Sequence, residues 1–226
     1  MNTSKKNSSV GTTNFGECAF VNCVKLKEVK FALLRNLYTY QYGHPGKKLS
    51  FMGNELASFD EWDESKSLPW VIKSFPKHDS VSRMVRDLNL IYQAEPAMHN
   101  EEHNPEHFRW LMVDNADQSV FAFQREINGN TLIFVYNMTT NFYEKYDIPL
   151  LKQGTYEEIF NSDKDVYGGW GQYNGLPVHS RKGSFVGLPY HMEIRFGIIW
   201  KSISLLYGST FPYNMEIYFG MIWKYI

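Results

Sequence analysis

The 226-residue chain is long enough for one large or two modest domains, and its 43% apolar and 16% aromatic content supports a packed core and excludes wholesale disorder. A formal net charge of −1 excludes electrostatic recruitment of nucleic acid or of an anionic membrane. No charged-then-apolar leader opens the chain and no apolar run approaches the ~20 residues of a membrane span, so a soluble, cytoplasmic protein is expected.

Residues 1–14 are small and polar, with Val10 their one branched apolar residue, and are expected to be disordered. Residues 15–27 form a mixed patch holding both cysteines, Cys18 and Cys23. A structural zinc site wants four ligands, so two reduced thiols without a role are the expected reading. A helix is predicted over residues 29–41, where Val29, Ala32, Leu33, Leu37 and Tyr40 recur at helical spacing and should cover one buried face. Pro45-Gly46 ends it. Leu49 to Met52 then form a short apolar run, predicted as a strand buried on both faces.

Gly53-Asn54-Glu55 follows that run, with Asp60, Glu61, Trp62, Asp63 and Glu64 close behind. Amides and carboxylates hydrogen-bond sugar hydroxyls, and an indole covers the apolar face of a sugar ring. Asn54, Glu55, Glu61 and Trp62 are therefore the candidate substrate contacts, while Asp63 and Glu64 read as a solvated acidic loop. Residues 56–79 form a long loop of the kind that carries function. A second helix is predicted over 80–95, with Val81, Met84, Val85, Leu88, Ile91 and Tyr92 on one face, Asp79 or Ser80 at its start and Pro96 past its end.

The connector at 99–107 holds His99, His103 and His107 beside Glu101, Glu102 and Glu106. Pro105 breaks the helix that would align two of the histidines, so a polar linker is expected and no metal site. Strands are then predicted at 108–113, 119–125, 131–137 and 143–148, with Asn128-Gly129 as a type I′ hairpin turn. Such spacing implies an antiparallel sandwich or barrel. Near the end, Leu188–Lys201 recurs 23 residues later as Phe211–Lys224 with ten of 14 positions identical.

The stretch His44-Pro45-Gly46-Lys47-Lys48-Leu49-Ser50-Phe51-Met52-Gly53-Asn54-Glu55, with Glu61-Trp62 and Ser67-Leu68-Pro69-Trp70, closely resembles the last barrel strand and following loop of bacterial 1,4-α-glucan (glycogen) branching enzymes. The likeness continues through Val85-Arg86-Asp87-Leu88-Asn89 and Tyr92, Asn115 to Val120, Asn161-Ser162-Asp163 and Tyr167-Gly168-Gly169. Segments in the right order from about residue 30 to 200 make it far more specific than one motif. The resemblance implies an α+β fragment: the last helix-strand-helix of a (β/α)8 barrel, residues 28–105, then an all-β sandwich over 106–201, with 1–27 unmatched and 202–226 a duplicated tail strand.

Family chemistry is glycosyl transfer on α-glucan by a retaining route, with no cofactor or metal required. That route needs a carboxylate nucleophile and a second carboxyl about 5–5.5 Å away. The resemblance places the family's pair, and its His-Asp pair, upstream of this sequence, so the expected catalytic set here is empty. His78-Asp79 follows the eighth strand and reads as a loop and helix cap. The implied partners are α-glucan (glycogen or amylose) and the upstream part of the barrel. Two other readings stay open: a non-catalytic glucan-binding module using Trp62, Trp110 and Trp170, and a remnant without function. The first tail copy is expected to be the closing strand of the sandwich. The second should lie outside, with Ile217, Phe219, Ile222 and Trp223 exposed.

Overall fold

The computed structural model describes residues 15–139, 141, 143–185, 188–196 and 219–225, with residues 15–28 and some strand positions as backbone alone. The expected disorder of residues 1–14 and the side chains of Cys18 and Cys23 lie outside that description. Among the described residues, two α-helices precede nine antiparallel strands. Helix α1 spans Phe15–Gly43 and α2 spans Pro76–Ala94. The strands are β1 (Phe108–Met112), β2 (Val120–Ile127), β3 (Asn130–Asn137), β4 (Tyr143–Leu150), β5 (Thr155–Asn161), β6 (Val178–His179), β7 (Arg181–Phe185), β8 (Leu188–Phe196) and β9 (Phe219–Tyr225).

Six strands form one sheet in the order β1-β2-β3-β9-β5-β6, and β4-β8-β7 form a second. The larger sheet is covered on both faces, which follows from the period-2 alternation of its side chains. In β3, Ile133 and Val135 enter a core shared with Tyr146, Ile148, Leu150 and Met192 of the smaller sheet. Its alternate residues Leu132, Phe134 and Tyr136 enter a second core with Tyr42 of α1 and Met84 and Leu88 of α2. This is why β3 is buried at seven consecutive positions and reads as an unbroken apolar run. The β2–β3 turn falls at Asn128-Gly129, with φ of 49° and 85°, as a type I′ turn demands.

The helices dock through polar groups as well as rings. Tyr136 Oη donates to the Thr39 carbonyl at 3.0 Å, Arg35 Nε to the Ser162 carbonyl at 2.9 Å, and buried Arg125 to the carbonyls of Gly43 and Met98. Gly43 is required here, because a Cβ would stand 2.6 Å from the Phe134 ring.

Four expectations are corrected. Helix α1 starts well before residue 29, and its buried face is Phe31, Ala32, Arg35, Asn36, Thr39 and Tyr42; Leu33 and Leu37 are 41% and 58% exposed. Helix α2 starts at Pro76, because a proline fits the first helical position, where its fixed φ suits the turn and no N–H is needed. Asp79 therefore sits inside the first turn, paired with Arg83, and does not cap. Leu49–Met52 joins no sheet, for among the described residues no strand lies beside it to take its backbone hydrogen bonds, and Leu49, Phe51 and Met52 are 75%, 49% and 54% exposed. The placement of the second tail copy is overturned, while the first copy's Leu188–Phe196 is β8, a strand of the smaller sheet. The second copy supplies β9, at the centre of the larger sheet between β3 and β5, and Ile222 and Trp223 are fully buried. A strand paired on both edges and packed on both faces outcompetes any exterior position for an apolar segment. The side chains of Ile217 and Phe219 lie outside the described residues.

Candidate functional site

A groove of about 950 Å³ runs along the exposed side of α1, walled by Leu34, Leu37, Tyr38 and Gln41 on the helix and by Phe51, Met52, Asn54, Asp60, Glu61 and Trp62 opposite. The loop that forms the second wall is folded by local hydrogen bonds. Gly53, at φ 85°, lets the chain turn into a short helical turn over Asn54–Leu56, and Leu56 plugs the core beneath. Tyr38 Oη ties that turn to α1 by donating to the Asn54 carbonyl at 2.6 Å. His78 Nδ1 meets the Leu56 carbonyl at 2.8 Å, with its ring edge-on to Phe31 and Phe59. His78 thus anchors the loop against both helices.

Three of the four candidate contacts come together. Asn54, Glu61 and Trp62 line the groove, and Trp62 stands edge-on to Phe51 at 5.2 Å with 45% of its surface exposed. Glu55 is set apart, lining a small inner cavity with Tyr38, Tyr42 and Lys48. Burial pushes the Tyr38 phenol up to about 12, and the charge of Glu55 adds to the effect. Asp63 is occupied within its own loop, accepting from Ser65 N at 2.9 Å and pairing with Lys66 at 2.8 Å, which lowers its pKa. The groove thus has an apolar floor with an amide, two carboxylates and an indole at its rim. Those residue types are ones that hydrogen-bond hydroxyls and cover apolar ring faces.

Elsewhere, Trp110 on β1 joins a run of rings through Phe121 to Tyr40 on the groove wall. Trp170 lies on the loop that closes around Asp163. Two features were not legible in the sequence. Lys48 is half-buried beside Arg125, Glu102 and Tyr92, and burial, with Arg125 next, pulls its amine down to about 8. Asp163 is fully buried and its carboxyl is pushed up to about 6 by that burial. Both depend on neighbours distant in sequence, so no local pattern marks them. Among the described residues no group of three or more His, Cys, Asp or Glu is placed to hold a metal ion, and no helix is long and apolar enough to cross a membrane. His107 instead bridges the Glu126 carbonyl and the Glu101 carboxylate.

The profile of the alpha amylase, C-terminal all-beta domain family matches residues 110–197. A 1,4-alpha-glucan branching enzyme of Agrobacterium fabrum is 45% identical over 152 residues, which are 67% of this chain and 21% of that enzyme. One from Geobacillus stearothermophilus is 39% identical over 176 residues, 76% of this chain and 28% of the enzyme. The chain therefore spans about a fifth to just over a quarter of the curated relatives it matches. Among solved structures, the cyclomaltodextrin glucanotransferase CldA aligns with a TM-score of 0.49 and 13% identity, covering 89% of this chain and 33% of that one.

Proposed function

We propose that this chain, homologous to the C-terminal portion of bacterial 1,4-alpha-glucan branching enzymes, serves α-glucan branching as a substrate-contacting and barrel-completing part and does not itself catalyse glycosyl transfer. The single observation that supports this reading is the groove. Its apolar floor, with Leu37, Leu49, Phe51 and Met52 each about half exposed or more, is the kind of surface that another protein segment covers. Its rim carries Asn54, Glu61 and Trp62, residue types suited to a glucan chain. The occupant that fits the floor is the upstream part of a branching-enzyme barrel, and the ligand at the rim is glycogen or amylose.

The test has two arms. The chain alone, incubated with amylose, should leave the iodine-stained absorbance unchanged; branching that survives careful removal of host enzyme would sink the non-catalytic reading. Mixed with the upstream portion of a relative's barrel, the chain should form a complex, and Phe51→Ser with Met52→Ser should abolish it. A complex that ignores those substitutions removes the groove from the argument. A glucan-binding module acting alone is the second reading, favoured by the exposure of Trp62 and Trp110. It predicts that maltoheptaose quenches tryptophan fluorescence of the isolated chain.

A further inference from the structure

The connection between β5 and β6 reads Gly-Gly-Trp-Gly-Gln-Tyr-Asn-Gly over residues 168–175, and four glycines in eight residues give such a chain little order of its own. It is nevertheless fixed from beneath at alternate residues. Buried Asp163 accepts from Trp170 N at 3.1 Å and from Gln172 N at 3.2 Å. Glu158 of β5 accepts from Asn174 N at 3.3 Å and from Asn174 Nδ2 at 2.9 Å, and Asn161 Nδ2 donates to the Gln172 carbonyl at 2.9 Å. Burial raises both carboxyls above their ordinary range, so holding the loop costs stability at neutral pH. What the loop displays to solvent is Tyr173, 52% exposed, and Leu176, 79% exposed.

Those residues wall a cleft of about 320 Å³, lined by Tyr173, Leu176 and Pro177 from the loop and by Glu144, Lys145 and Glu193 from the smaller sheet. A bulge builds the sheet side. Tyr143 pairs with Phe196 and Tyr146 with Ile194, so Glu144 and Lys145 together stand opposite one residue of β8. Strict alternation from buried Tyr146 would turn Glu144 inward, and the bulge instead leaves Glu144 and Lys145 both exposed. Lys145 pairs with Glu193 at 3.7 Å across the two strands, and Lys164 Nζ lies 6.0 Å from the centroid of the Tyr173 ring. The cleft shares no lining residue with the groove on α1.

We infer that this cleft is a second carbohydrate subsite, which takes a short stretch of an uncharged glucan chain with Tyr173 against a sugar ring and Glu144, Lys145 and Glu193 on its hydroxyls. A hydroxyl both donates and accepts, and the cleft sets carboxylate acceptors and an ammonium donor beside an apolar strip. An anion would meet Glu144 and Glu193, and a cation would meet Lys145 and Lys164, so neither charge suits it. A loop already ordered by Asp163 and Glu158 loses little freedom on binding, which is what the cost of burying those carboxyls secures. The inference rests on the reading proposed above for the choice of α-glucan, but it places the contact on the β-domain, away from the rim residues Asn54, Glu61 and Trp62.

Native electrophoresis of the full chain through gels containing soluble amylose tests this, with retardation as the readout. In a Trp62→Ala background, which removes the indole at the groove rim, amylose should still retard the chain. Adding Tyr173→Ala should weaken the apparent affinity about threefold or more. Adding Lys145→Ala with Glu193→Ala, which leaves the ring in place, should weaken it as well. Tyr173 and Lys145 are exposed, so neither change removes a core contact. The inference is overturned if amylose does not retard the parent, or if neither set of substitutions changes its retardation. It is also overturned if Trp62→Ala alone abolishes binding, a result that leaves the glucan reading of the groove rim standing. Loss on Tyr173→Ala with none on Trp62→Ala supports the cleft and removes the rim.

Discussion

Replacing Asp163 by asparagine should stabilise the protein at neutral pH relative to its effect in acid. The carboxyl is fully buried, with one oxygen accepting from Trp170 N at 3.1 Å and the other from Gln172 N at 3.2 Å. Burial raises its pKa from 3.8 to about 6, opposed by those two N–H groups and by the charge of Arg35. A folded-state pKa above the unfolded one means that the native protein holds a proton the unfolded chain has already released. Stability is then largest in acid and falls as pH rises from about 3.8 to about 6. At about 1.4 kcal/mol per unit, the loss from this one group is about 1 kcal/mol at about pH 4.5 and about 3 kcal/mol at about pH 7.5. Asparagine carries no such penalty, but it offers one acceptor where the carboxylate offers two, a pH-independent cost of about 1 kcal/mol. Urea unfolding of parent and variant across this range isolates the titrating part. The difference, variant minus parent, should grow by about 2 kcal/mol from about pH 4.5 to 7.5. A flat difference would refute the reasoning, since it would mean that the backbone donors cancel the desolvation.

Two further outcomes follow from the cluster at the C-terminal end of α1. Arg125→Met, which leaves the carbonyls of Gly43 and Met98 without their buried donor, should cost about 2–4 kcal/mol in the same unfolding assay; a cost below about 0.5 kcal/mol would show that water replaces the guanidinium freely. Lys48, with its amine at about 8, should be acylated near pH 8 ahead of its neighbour Lys47, whose side chain is 90% exposed, and Arg125→Met should slow that labelling by removing a repelling charge. Equal labelling of the two lysines, followed by peptide mass spectrometry, would contradict the shift.

Helix α1 shows how far periodicity reaches. The spacing of Val29, Ala32, Leu33, Leu37 and Tyr40 does mark a helix, but the face buried in this molecule carries Arg35, Asn36 and Thr39, with Arg35 donating to the Ser162 carbonyl beyond β5 and the Thr39 carbonyl accepting from Tyr136 of β3, while Leu33 and Leu37 face outward. A helix with apolar residues on two sides has two faces to cover, and local pattern cannot say which neighbour is present. The same holds for Leu49–Met52. Its composition is that of a buried strand, yet a strand exists only through a partner's hydrogen bonds, and none stands beside it among the described residues. The rim residues Asn54, Glu61 and Trp62 were legible as a group because they are neighbours in sequence; Glu55 was not separable from them, since the side a residue takes in a helical turn is set by what packs around it.

By itself the amino-acid order determined the two helices, the run of short strands, the glycine-dependent turn at Asn128-Gly129 and the homology to the C-terminal part of branching enzymes. Each of these rests on spacing, on backbone permissiveness or on residue identity, which are local properties. Tertiary structure alone decided which tail copy is the central strand. The two copies have nearly the same apolar pattern, so pattern cannot assign them to sheets; in the fold Leu188–Phe196 pairs with β4 and β7 in the smaller sheet, while Phe219–Tyr225 pairs with β3 and β5 in the larger one.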